Sequence, residues 1–226
     1  MKRLMAIAAL VLGQAGCVAN QGDAPVRFLD ALSLTFEEGV GCTPADDFVI
    51  GTGSLDLSGG QNYLMAMSVE TNNSVQSITI NQEEFAGQGL NDITLNELVY
   101  SYEFQPNAGS PSVTVPADEE DRVPLYRVLR PGTSADESFV FMNAFGPKML
   151  EALRTGFTSP DQRGTVYTTI KARGRLSSGQ TVDSNKFQFP VTVYETNFGY
   201  CPLGEIPLGT CQRAGQDAPG CFDPDA

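Results

Sequence analysis

The chain has 226 residues, 41% of them hydrophobic, and sets 14 basic against 27 acidic side chains for a net charge of −13. That length supports one large or two small domains with a substantial core, and one domain is the simpler reading. The charge excludes nucleic acid as an expected partner, since phosphate binding needs clustered Lys and Arg; it disfavours anionic lipid headgroups too, and reads as a solvated surface.

Lys2 and Arg3 precede an unbroken apolar run, Leu4 to Leu12, and the small-residue stretch Gly13-Gln14-Ala15-Gly16 leads into Cys17. Charge, apolar run and small residues in that order make a secretory signal over residues 1–16. The run is less than half of the roughly 20 residues a membrane-crossing helix needs. Cys17 after Ala15-Gly16 resembles the lipobox of bacterial lipoproteins, and the resemblance implies acylation of the Cys17 thiol with cleavage just before it. Gln14 departs from that pattern, which usually has an aliphatic residue there. The alternative is an ordinary leader, with a mature chain starting at Gly16 or Asn20. Several acyl chains would hold the protein at a membrane, whereas one gives only marginal binding. Loss of residues 1–16 removes Lys2 and Arg3 and no acid, which takes the net charge from −13 to −15.

Residues 17–25 are polar and end at Pro25, as suits a tether between lipid and folded domain. Period-two alternation of apolar and polar residues then predicts strands near 27–36, 47–57, 62–70, 92–104, 112–116, 123–129, 164–174 and 182–194. Turn residues separate them, among them Ser58-Gly59-Gly60, Asn72-Asn73, Pro131-Gly132 and Ser177-Ser178-Gly179. Phe28, Leu29, Leu32 and Phe36 in the first of these strands also fit a helical stripe. Leu57-Ser58-Gly59-Gly60-Gln61 spells the signature of ATP-binding cassette proteins, but no GxxxxGK[ST] loop accompanies it, so the pentapeptide reads as a turn and no nucleotide partner is expected.

One helix is expected at 147–154, with Pro147 at its start, Gly156 just past its end, and Met149, Leu150 and Leu153 on one face. Residues 166–193 resemble the last two strands of fibronectin type III and immunoglobulin-like modules: a Tyr leading into alternating residues, the small Ala172, a Gly-containing turn and a Ser-rich return. The expected fold is therefore all-β, an antiparallel immunoglobulin-like β-sandwich over residues 26–198 with one short helix.

Residues 199–226 combine Pro, Gly and Cys with few large apolar groups, and form a tail that disulfides would have to hold. With Cys17 assigned to lipid, Cys42, Cys201, Cys211 and Cys221 remain, an even number that reads as two disulfides in an exported chain. The preferred pairing joins Cys42 to the tail; spacing alone leaves all three pairings open. A zinc site is not expected, because the chain has no His and no CxxC pair.

The absence of histidine removes Ser-His and Cys-His nucleophile activation. Carboxylate chemistry of the glycoside-hydrolase kind would remain, and needs two acids facing each other about 5–10 Å apart. The candidates Asp46-Asp47, Glu83-Glu84 and Asp118-Glu119-Glu120-Asp121 are adjacent in sequence and read as exposed loops, with weak calcium binding left open for 118–121 and for Asp223-Asp225. No cofactor and no catalytic residue is expected. The whole resembles envelope lipoproteins of bacteria with two membranes, particularly the myxobacterial type, and Val18 resembles the residue that permits transfer to the outer membrane in enteric relatives. That implies a non-catalytic role at the cell envelope, with an envelope protein or polysaccharide as partner. An envelope glycan hydrolase and a secreted soluble structural protein are the alternatives.

Overall fold

The alternating segments fold as strands in a computed structural model that describes residues 24–37, 40–59, 62–74, 77–80, 82–86, 91–110, 112–159, 162–195, 206–207 and 221–222. In chain order they are β1 (Val26–Glu37), β2 (Gly41–Ile50), β3 (Gly53–Asp56), β4 (Leu64–Thr71), β5 (Ser77–Ile80), β6 (Glu83–Ala86), β7 (Ile93–Pro106), β8 (Asp121–Leu129), β9 (Phe139–Asn143), β10 (Arg163–Leu176), β11 (Thr181–Asp183), β12 (Phe187–Tyr194), β13 (Ile206–Pro207) and β14 (Cys221–Phe222). The α-helix, α1 (Pro147–Gly156), interrupts the series between β9 and β10. The all-β class is therefore observed.

Four strands make one sheet in the order β2-β1-β4-β9, with antiparallel neighbours throughout. A larger sheet runs β3-β12-β10-β7-β8, with β11 paired to β10; its long central ladder joins β10 to β7 from Gly164↔Pro106 to Leu176↔Ile93. One pairing breaks the antiparallel rule, since β3 lies parallel to β12. One core joins the two sheets: Phe28, Met65, Met67 and Val69 from the smaller meet Leu95, Tyr100, Val166, Ile170, Phe189 and Val191 from the larger, with Met149 and Leu153 of α1 in the same cluster. Asn185 adds a polar tie between the layers. Its side-chain amide accepts from the Phe28 N–H at 2.7 Å and donates to the Phe28 carbonyl at 2.8 Å, beside the register break of β1 between Phe28 and Ala31.

Several expected boundaries shift for physical reasons. The 47–57 segment breaks at Gly51-Thr52 into β2 and β3, which join different sheets. Likewise 182–194 divides into β11 and β12 around Ser184-Asn185-Lys186. Residues 112–116 are not a strand: bounded by Pro111 and Pro116, which cannot donate to a ladder, they run irregularly and set buried Val113 against Gly156. Strand β9 escapes the period-two reading because Phe139 and Phe141 flank the buried Val140 and Met142, so both faces are apolar and the contrast disappears. Gly156 closes the helix rather than following it.

Candidate functional site

The acidic run expected to be an exposed loop instead ties several elements together. Asp121 opens β8 and is only 1% exposed. Its Oδ2 accepts from the Met149 N–H at 3.0 Å and its Oδ1 from the Lys148 N–H at 3.3 Å, the free donors of the first turn of α1. Gly146, the residue preceding the helix, supplies no side-chain cap, so a carboxylate 28 residues away in sequence does this work. The Tyr102 hydroxyl donates to Asp121 Oδ2 at 3.0 Å and accepts from the Gly146 N–H at 2.8 Å. Burial, with the Asp121 charge nearby, pushes the Tyr102 phenol well above its ordinary pKa despite the opposing Gly146 N–H, and the same causes raise that of Tyr100.

Its three neighbours go elsewhere. Asp118 accepts from Ser101 Oγ, Glu120 pairs with Lys148, and Glu119 pairs with Lys171. Glu119 reaches that position from a left-handed backbone at φ 57°. The hydrogen bond from Lys171 holds the Glu119 carboxyl below the usual range, and that from Lys148 does the same for Glu120. A general acid of the glycosidase type needs a carboxyl shifted upward, whereas the resolved carboxyl shifts among the described residues, at Glu119, Glu120 and Asp183, all run downward.

Glu119 also enters an ion-pair lattice on the outer face of the larger sheet. Arg173 of β10 meets Asp183 of β11 by two hydrogen bonds of 2.8 and 3.1 Å and reaches Glu97 of β7 at 3.4 Å, while Lys171 reaches Asp183 at 3.2 Å. Arg122 of β8 closes the row on Glu97 at 3.5 Å. The bond from Arg173 lowers the Asp183 carboxyl, and the same bond raises the guanidinium. Partial burial works against the Lys171 charge, but its bonds to Glu119 and Asp183 outweigh that and raise it. Alternation puts these groups on one face: Lys171 and Arg173 stand two residues apart on β10, with Ala172 between them turned into the core.

An open groove of about 400 Å³ runs beside α1, lined by Ser112, Val113, Thr114, Lys148, Glu151, Ala152, Thr155 and Gly156. Its wall mixes hydroxyls and charges with Val113 and Ala152, and Lys148 is already paired with Glu120.

The other sequence-stated candidates scatter. Cys42 sits half-buried on β2; Cys17, Cys201 and Cys211 lie outside the described residues, and for Cys221 only its backbone place on β14 is described. Asp46-Asp47 and Glu83-Glu84 occupy β2 and β6, and the orientations of their side chains are not described; Asp223 and Asp225 lie outside the described residues. Leu57-Ser58-Gly59 forms a single 3-10 turn between β3 and β4, where Ser58 Oγ stands 2.6 Å from Asp56 Oδ1 and 2.7 Å from Glu195 Oε1 and its one proton is shared between them. Among the described residues no three metal-ligating side chains cluster, and no helix is long and apolar enough to cross a membrane. Sequence reasoning missed Tyr102 and the lattice cations; the lattice was hinted at by alternating Lys171, Arg173 and Arg175, whereas nothing local marked Tyr102.

A scan against protein-family models finds no match, and searches of curated proteins and of solved structures find none either.

Proposed function

We propose that the chain is a non-catalytic cell-envelope protein, anchored to the membrane by lipid on Cys17 and serving a binding or structural role through an immunoglobulin-like β-sandwich. The fate of the acidic run carries the non-catalytic half of this reading. Each of residues 118–121 is committed to a different strand, lysine or helix terminus, so the densest group of acids in the chain acts as a brace rather than a facing pair. The order of charge, apolar run and Cys17 supports the anchor. The central β7–β10–β12 ladder and the parallel pairing of β3 with the last long strand support the immunoglobulin-like topology.

An outer-membrane position with an envelope protein or polysaccharide as partner fits this reading, and the groove beside α1, with Ser112, Thr114, Glu151 and Thr155 presenting hydroxyls and charge, is the surface on which sugar hydroxyls would find partners. The deciding experiment is fatty-acid labelling with membrane fractionation. The full chain should take up label and stay with membranes, and Cys17→Ser should abolish both; an unlabelled, freely soluble parent chain would favour the secreted alternative. Release of reducing ends from envelope glycan by the purified protein would establish the hydrolase instead.

A further inference from the structure

We propose that the chain's own last segment, residues 196–226, is the layer covering Leu34 and Ala66 on the outer face of the four-stranded sheet, fastened by a disulfide from Cys42 to Cys201, Cys211 or Cys221. The inference goes beyond the proposed function and rests on it in one respect, that Cys17 is taken by lipid and does not pair with Cys42.

Alternation along β4 turns Met65 and Met67 into the core shared by the two sheets, so Ala66 faces the other way. Ala66 is nevertheless 0% exposed, and Leu34 beside it on β1 is 1% exposed. The described hydrophobics that pack on this pair, Leu32, Cys42, Leu64 and Phe139, all belong to the same sheet. Side chains on one face of a single sheet stand parallel with their tips in solvent, as Phe141 beside Ala66 (42% exposed) and Val49 beside Leu32 (60%) do, so the complete burial of Leu34 requires a second layer over this part of the face. That layer has to come from beyond the described side chains.

Position selects among the segments that remain. The stretch between Ser74 and Asn91 is tied at its base by Asn73 Nδ2 to the Asn91 carbonyl, next to the end of β4 where Thr71 pairs with Val26. Residues before Val26 enter at that same end. Leu34 lies eight residues along β1 from Val26, about 27 Å at the strand rise. The last segment starts from the opposite end. It leaves at Glu195, whose Oε1 stands 2.7 Å from Ser58 Oγ, and Ser58 lies just before β4 begins at Leu64, the neighbour of Leu34.

Cys42 stands on the same face, because Leu34↔Pro44 and Phe36↔Cys42 are successive same-face pairs of the β1–β2 ladder. Its sulfur is not a free thiol. Apart from Cys17, which the proposed function assigns to lipid, the remaining cysteines all lie in 196–226. The bond forms when the Cys42 thiol and a tail thiol give up two protons and two electrons to a protein disulfide by thiol–disulfide exchange, leaving the oxidant as its dithiol.

The test uses the full chain isolated from an oxidising compartment. Peptide mapping without reductant should join the Cys42 peptide to one from 196–226; a Cys42 that alkylates in the unreduced protein overturns the proposal, and a Cys42 joined to Cys17 overturns both it and the lipid anchor. Hydroxyl-radical footprinting before and after dithiothreitol should show labelling of Leu32, Leu34 and Phe139 rising several-fold while core-facing Met65 and Met67 hold constant; labelling of the three unchanged by reduction overturns it. Should Met65 and Met67 rise as well, a benzoylphenylalanine photo-crosslinker in place of Phe141, which pairs with Ala66, decides in the oxidised protein. Capture of a peptide from 196–226 upholds the assignment, and capture from 75–90, from the leader or from a second copy refutes it.

Discussion

The Asp121 carboxylate lies where a side chain on Gly146 would have to go: a Cβ built on Gly146 falls 2.5 Å from the carboxyl carbon and both oxygens. Gly146 has an ordinary extended backbone, φ −75° and ψ 171°, so its glycine serves clearance and not conformational freedom. The absent side chain lets a strand-borne acid reach the first turn of α1 and join the helix to the larger sheet.

Asp121→Ala should therefore destabilise the fold by about 3 kcal/mol, the sum of a lost cap and of hydrogen bonds to a buried charge. Asp121→Asn keeps one acceptor oxygen and should cost about 1–2 kcal/mol. Urea unfolding of the two variants checks the order. Equal losses would mean that the carboxylate charge, not its geometry, holds the helix.

Gly146→Ala forces the same junction apart without deleting any donor or acceptor, and should cost about 2–3 kcal/mol as overpacking. Gly41→Ala is the contrast: its φ of 102° strains any side chain, but nothing lies within 4 Å of the added carbon, so the loss should be about 1 kcal/mol. Combining Gly146→Ala with Asp121→Ala should cost less than the two single changes added, because both act on one contact.

Thr168 points a hydroxyl into the core on β10, 0% exposed, with no hydrogen-bond partner among the described residues. Thr168→Val keeps the shape and removes the orphan, so it should stabilise by about 1 kcal/mol and raise Tm by roughly 2–4 °C. Calorimetry checks this; a fall in Tm would show that the hydroxyl has a partner after all.

The lattice sets a pH window. Glu119, Glu120 and Asp183 have folded pKa values below their ordinary 4.5 and 3.8, so each adds stability above those values and loses it as pH falls through its lowered folded value. Lys171 is raised above 10.5, so its share is full below that pH and fades as pH climbs through the raised value. Tm should therefore be flat across the neutral range from these groups and fall below about pH 4. Glu119→Gln and Asp183→Asn should each weaken the acid slope, and added salt should weaken it too, because the Glu119 and Asp183 carboxylates are about a third exposed.

Much of the strand pattern was legible because its cause is local. Along β10, Val166, Thr168, Ile170 and Ala172 are buried while Thr165, Tyr167, Thr169 and Lys171 are not, which is the alternation the residues spell. Strand β9 was illegible for the converse reason: its outward Phe139 belongs to the apolar outer face of the smaller sheet, so no polar residue marked that side. Within the acidic run, four adjacent acids looked alike, and only the fold distinguished Asp121, carried inward at the head of β8, from the three left on the surface.

By itself the sequence determined what depends on neighbours in the chain: the all-β class, the start of the helix at Pro147, and the absence of histidine chemistry. The tertiary structure alone decided which acid of the 118–121 run meets which strand, lysine or helix donor, because those partners lie 17 to 52 residues apart and proximity along the chain carries no information about such pairs. The same holds for Ala66 and Leu34, which neighbouring strands bring together with Leu32, Cys42, Leu64 and Phe139.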